Sequence, residues 1–206
     1  TNAGTLVFDL SFSEPVSAFG AGDLTNIGTA DCAVDSVAAT TVALACTTGG
    51  TVVLRIAADA VTDAAGNGNA PADGDTVTRD TTAPTVTLAV ASSQADPTTD
   101  PSLAFRITAD EALDCSTLET DDGVDLAFGS ITSIGPVTGT GTTTCAIPAT
   151  SSIAAGATGV SGLTGSESFS VDDDAGNTQT TLLGSPATVT VDRQAPSVSA
   201  FTAGTT

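Results

Sequence analysis

An all-β fold of two tandem antiparallel β-sandwich modules is predicted by three observations on this 206-residue chain. Short runs of threonine, valine and other β-formers recur throughout, bounded by Gly, Asp or Pro, and no long amphipathic helical period competes with them. The same landmarks return in the same order in the two halves, the mark of an internal repeat. The length suits two modules of about 100 residues each, the usual size of a small sandwich.

Taken in chain order, Leu6 to Val16 (LVFDLSFSEPV) alternates as a strand ending in acid, and it aligns with Leu103 to Leu113 (LAFRITADEAL), which places Ser13-Glu14 opposite Asp110-Glu111. Further strands are expected at Thr40 to Cys46 and Thr51 to Ile56, with a short helical turn near Ala57 to Val61. Val61 to Asn67 (VTDAAGN) matches Val171 to Asn177 (VDDDAGN), and Gly66 and Gly176 suit the positive-φ position of a tight turn. Asp80 to Pro84 (DTTAP) matches Asp192 to Pro196 (DRQAP), where a strand ends and a proline-stiffened linker begins. The second half adds strands at Thr85 to Ala91, Phe128 to Ile134, Thr142 to Ile147 and Thr188 to Val191. The modules are therefore placed at 1–82 and 83–194, with 195–206 left over.

The halves differ at their openings. Thr85 to Ser92 (TVTLAVAS) precedes the Leu103 landmark, whereas nothing equivalent precedes Leu6. At the other end Ala195 to Thr206 (APSVSAFTAGTT) resembles that opening strand without a sandwich behind it. Two explanations fit: a window cut from a longer tandem array, or a spare strand that completes the first module of another copy by β-strand addition, with Pro196, Val198 and Phe201 in the assembly strand. Phe8, Phe12, Phe105 and Phe169 are expected in cores, while Phe201 has no core of its own module to enter.

Ten acidic residues and two arginines fall in 1–82, fourteen and two beyond it, and the net charge is −20. Such a field repels nucleic acid and anionic membrane. No stretch of eighteen apolar residues is available for membrane insertion. Histidine, lysine, tyrosine and tryptophan are absent, so a serine or cysteine nucleophile lacks a His or Lys base, and a carboxylate pair lacks the aromatic platform usual in glycosidases. An enzyme is not expected. Arg55, Arg79, Arg106 and Arg193 are isolated and read as partners of neighbouring Asp rather than phosphate ligands.

Cys32 and Cys46 lie in the first half, Cys115 and Cys145 in the second. Four cysteines allow three connectivities, and the modular division favours 32–46 with 115–145, each loop stabilising by about 3–4 kcal/mol. Four reduced, buried thiols are the alternative. Paired, they indicate an oxidising compartment, extracellular or at the cell surface.

The segments Phe12 to Val16 (FSEPV), Asp63 to Asn67 (DAAGN) and Asp80 to Val86 (DTTAPTV) resemble the signatures of the bacterial immunoglobulin-like repeats of large secreted adhesins and surface proteins. The resemblance extends over essentially the whole chain and is weaker in the middle of the second half. It implies an immunoglobulin-like sandwich in an extracellular stalk, fibre, sheath or filament whose partners are copies of itself or adjacent repeats. It also implies possible calcium near module junctions, and an adhesin that binds a host, matrix or glycan ligand is the alternative.

Calcium takes six to eight oxygens, and acids recur at equivalent landmarks: Glu14, Asp63 and Asp80, then Asp110, Glu111, Asp172, Asp173 and Asp192. Strand ends and linkers at one pole of a sandwich can bring such groups together. The same residues read equally as turn carboxylates that cap backbone N–H groups.

Overall fold

The computed structural model describes residues 1–17, 19–38, 40–118, 125–184 and 186–202. The described chain is all-β, interrupted by two single-turn 3-10 segments at Ala21–Asp23 and Cys115–Thr117. It divides into two compact units, Thr1–Thr82 with Ala175–Asn177 and Ala83–Asp174 with Thr178–Thr206. Among the described residues no helix is long and apolar enough to cross a membrane.

The first unit contains β1 (Thr5–Asp9), β2 (Leu24–Asn26), β3 (Cys32–Val37), β4 (Thr41–Cys46), β5 (Gly50–Val52), β6 (Leu54–Ile56), β7 (Ala72–Asp73) and β8 (Val77–Arg79). One antiparallel sheet has the order β1-β4-β3; β2-β6-β7 and the pair β5-β8 form the others. Strand β4 shows why: Val42, Leu44 and Cys46 alternate into the core, where they join Leu6, Val52 and Leu54. The run Thr51 to Ile56 is two strands because Asn26 intrudes. Its Oδ1 accepts the Val53 N–H at 3.0 Å, while the Val53 carbonyl accepts from Ile27 at 2.9 Å. Strand β1 ends at Asp9, well short of Val16. Pro15, which has no N–H, stands there where the aligned position of the second half is Ala112; beyond β1 the Leu10 N–H bonds to the Thr40 carbonyl at 2.7 Å and the Ser17 N–H to the Thr62 carbonyl at 2.8 Å. The expected helical turn near Ala57 is a non-helical turn with Asp59 at φ 58°.

The second unit contains β9 (Val86–Val90), β10 (Ser102–Asp114), β11 (Leu126–Gly129), β12 (Ile131–Ile134), β13 (Thr142–Ser151), β14 (Thr158–Gly165), β15 (Val171–Asp173), β16 (Thr178–Gln179), β17 (Leu182–Leu183) and β18 (Ala187–Asp192). One sheet runs β12-β13-β10-β9, with β15 and β16 continuing from the far end of β10 and β17 parallel to β9; the other runs β11-β14-β18. Both contribute to one core: Val86, Leu88, Phe105, Ile107 and Ile147 from the first meet Leu163, Val189 and Val191 from the second. Phe128 to Ile134, read from sequence as one strand, is β11 and β12 in different sheets. Ser130, at φ 55°, makes the corner between them.

Both disulfides are the pairs that modular division favours. Cys32 and Cys46 face each other across β3 and β4, and Cys115, in the 3-10 turn after β10, reaches Cys145 on β13. The arginines behave differently from expectation. Arg55 does pair with an acid, donating through Nε and Nη2 to Asp73 at 2.5 and 2.6 Å. Arg79, almost buried, instead donates to the carbonyls of Ala3 and Thr48 at 2.8 Å each, and Arg193 donates to Ile153 O at 2.9 Å. The planar guanidinium carries several N–H donors, which lets Arg79 reach two backbone carbonyls at once.

Candidate functional site

Several of the acidic landmarks are occupied in local hydrogen bonds. Asp63 is the fullest case: Oδ1 accepts the N–H groups of Ala65 and Asn67 at 2.8 Å each, and Oδ2 accepts the Asn67 side-chain amide at 2.8 Å. Gly66 sits at φ 88° inside this loop, and Gly176, in the matching VDDDAGN segment, at φ 92°. The Asn67 amide first, then the backbone N–H groups, hold the Asp63 carboxyl below the usual range. Asp80 accepts the Thr82 N–H at 3.0 Å, Asp110 the Thr85 N–H at 2.7 Å, and Asp172 the Thr178 hydroxyl at 2.6 Å. Asp192 accepts the Thr158 hydroxyl at 2.6 Å and the Gln194 N–H at 3.0 Å.

Some of the landmarks within each unit come together. In the first unit Glu14, which is exposed, and Asp63 line one cavity of about 260 Å3. Asp80 does not line this cavity; its N–H is bonded to the Thr1 carbonyl ahead of β1. In the second unit Glu111 and buried Asp173 each bring a carboxylate oxygen within 4.8 Å of the other. Asp192 does not join them. Its N–H bonds to Thr98 O, just before β10 begins at Ser102, so the length of β10 from Ser102 to Glu111 intervenes, about 30 Å at the rise of a strand. Glu111 with Asp173 supplies two carboxylates toward a calcium shell that needs six to eight oxygens.

A second feature lies along β1. Among the described residues β1 pairs with β4 alone, which leaves its other edge open. Beside β1 is a mainly apolar cavity of about 140 Å3 whose lining includes Phe8, Leu10, Leu54 and Ile56 together with Asp9 and Asp73. Val7, on the outer face of β1, is 64% exposed. In the second unit the corresponding edge of β10 carries β9, in the register Phe105↔Val90, Ile107↔Leu88 and Ala109↔Val86. The aligned core positions record the difference. Phe105 and Ile107 are 1% and 0% exposed, whereas Phe8 and Leu10 are only half-buried. The sequence gave no sign of the cavity, because its lining is gathered from β1, β2, β4 and β6.

Comparison with protein-family models, with curated proteins and with solved structures finds no match.

The carboxylate caps make a testable pH dependence. Asp63, Asp110 (through the Thr85 N–H), Asp114 (through Ser116) and Asp192 (through Thr158) all titrate below their ordinary range when folded. Their contribution is complete above the unfolded value of about 3.9 and is lost as pH falls through the lower folded values. The midpoint of thermal unfolding is therefore expected to fall between about pH 4 and pH 2, and to fall less in the Asp63→Asn variant. A midpoint that keeps rising down to pH 2 contradicts this role for the caps.

Proposed function

We propose that the chain is a non-catalytic structural stretch of a secreted bacterial surface protein, built of immunoglobulin-like tandem modules and working as part of a fibre, stalk, sheath or filament. The observation that carries the reading is the repeated D-x-A-G-N turn, with a positive-φ glycine at the same place in both copies, Gly66 and Gly176. Repetition of a unit, rather than a single site, is what a spacer or fibre needs, since each module contributes length and stiffness. The disulfides fit a module that works in an oxidising space outside the cell. The resemblance of FSEPV, DAAGN and DTTAPTV to bacterial surface repeats points the same way.

Solid-phase binding to glycan and matrix-protein arrays tests it. A spacer module is expected to give no saturable signal on any spot. Saturable, salt-resistant binding to one ligand class overturns the structural reading in favour of an adhesin.

A further inference from the structure

Of the five asparagines in the chain, Asn67 alone is followed by glycine. We propose that Asn67 is a site of spontaneous covalent modification, at which the Gly68 nitrogen closes on the side-chain amide and water then opens the ring to aspartate or isoaspartate. The proposal goes beyond the structural-module reading and does not depend on it.

The chemistry asks for a backbone nitrogen whose proton is not held by an acceptor, an uncrowded approach, and access for water. The Gly68 N–H bonds to no acceptor among the described residues, although its neighbours are engaged, Asn67 N–H with Asp63 Oδ1 and Asn69 N–H with Val61 O. Glycine has no Cβ, so nothing crowds the nitrogen as it closes. The turn also demands that glycine. A Cβ on residue 68 would run into the Asp59 carboxylate, and Asp59 is held by the bond from its own N–H to Asn69 O. Asn67 and Gly68 are both exposed and line the cavity that holds Glu14. The other asparagines lack this combination. Asn26 and Asn69 are half-buried, and each has its side-chain oxygen and nitrogen bonded to backbone groups. Asn2 is followed by Ala3, and Asn177 by Thr178, whose branched side chain crowds the nitrogen.

The atoms balance with water as the co-reactant. Gly68 N gives up its proton and bonds to Asn67 Cγ; the Cγ–Nδ2 bond breaks and ammonia leaves. Water then cleaves the cyclic imide. Cleavage at Cγ gives aspartate, and cleavage at the former backbone carbonyl gives isoaspartate, in which the chain runs through Cβ and Cγ. The bond from Asn67 Nδ2 to Asp63 Oδ2 holds the amide and slows its loss, but Asn67 Oδ1, where charge develops during the attack, has no partner among the described residues and is left to water. Either product unfastens the turn. The 2.8 Å bond between amide and Asp63 is replaced by a carboxylate facing a carboxylate. The Asn67 amide is the first cause that holds the Asp63 carboxyl low, so its loss lets that carboxyl rise toward the ordinary range. In isoaspartate the Asn67 carbonyl, which accepts the Asp63 N–H at 3.0 Å, becomes part of a free carboxylate. The backbone also gains a methylene, which displaces the bond from Asn69 N–H to Val61 O.

Ageing of the full 206-residue chain in native buffer at mildly alkaline pH, followed by reduction, cleavage after arginine and fragmentation mass spectrometry, tests the proposal. The peptide from Ile56 to Arg79 carries both Asn67 and Asn69, and fragmentation tells them apart. Asn67 is expected to be the first of the five asparagines to take on the mass of the acid, with isoaspartate among the products and a rate that rises with hydroxide. The thermal midpoint of the aged chain is expected to fall below that of the fresh chain, while an Asn67→Ser variant aged alongside keeps its own. Conversion of another asparagine while Asn67 is intact overturns the site. Conversion at Asn67 in denaturant but not in native buffer overturns the role given to the exposed turn. A midpoint unchanged after Asn67 has converted overturns the unfastening. None of these results bears on the binding arrays, so the structural reading is tested separately.

Discussion

Phe105→Ala is expected to destabilise the second unit by about 3–5 kcal/mol, the cost of emptying a fully buried aromatic site. Phe105 is 1% exposed in the centre of β10, flanked by β13 on one side and β9 on the other, so neighbouring elements cannot collapse into the space without breaking two ladders. The aligned replacement in the first unit, Phe8→Ala, is expected to cost the monomer at least ~1 kcal/mol less, because Phe8 is already half open to water. Hydrogen exchange resolved by residue is the suitable measurement, since the chain has no Trp or Tyr to report on each unit by fluorescence. Equal losses at the two positions would show that Phe8 is as well covered as Phe105, against the difference in their burial.

The second large effect is expected from the disulfide between Cys115 and Cys145. Opening it with paired Cys→Ala changes releases a loop spanning 30 residues, for which chain entropy gives about 3–4 kcal/mol. Both sulfurs are buried in the larger core, at 1% and 0% exposure, so lost packing adds to the entropic cost. The bond from Cys32 to Cys46 closes a shorter interval of 14 residues across neighbouring strands, and its removal is expected to cost about 3 kcal/mol or less. Denaturant unfolding of the two double variants, followed by hydrogen exchange, orders them. A smaller loss for the longer loop would mean that the reduced second unit keeps residual structure around Cys115.

How much of this was legible in the sequence depends on the kind of signal. Strands β4, β9, β10, β13 and β18 follow from alternation and were anticipated closely, because each has one face on a core. The positive-φ glycines and the disulfide pairing were readable for equally local reasons. The two-residue strands β7, β16 and β17 carry too few positions for any period, and β14, with five glycine or threonine residues among its eight, resembles a loop in composition. The breaks at Val53 and Ser130 were hidden because one is imposed by Asn26 from another strand and the other by a backbone angle at an ordinary serine. The acidic landmarks were found as residues but not as a geometry. The sequence places Asp110, Glu111, Asp173 and Asp192 in one module, while only the length of β10 reveals that Asp192 is held at the far end.

The central claim, that the chain is a structural module and not a ligand-binding one, is tested most directly by solid-phase binding of the intact chain to glycan and matrix-protein arrays. The account predicts no saturable signal on any spot. Saturable, salt-resistant binding to one ligand class would contradict it.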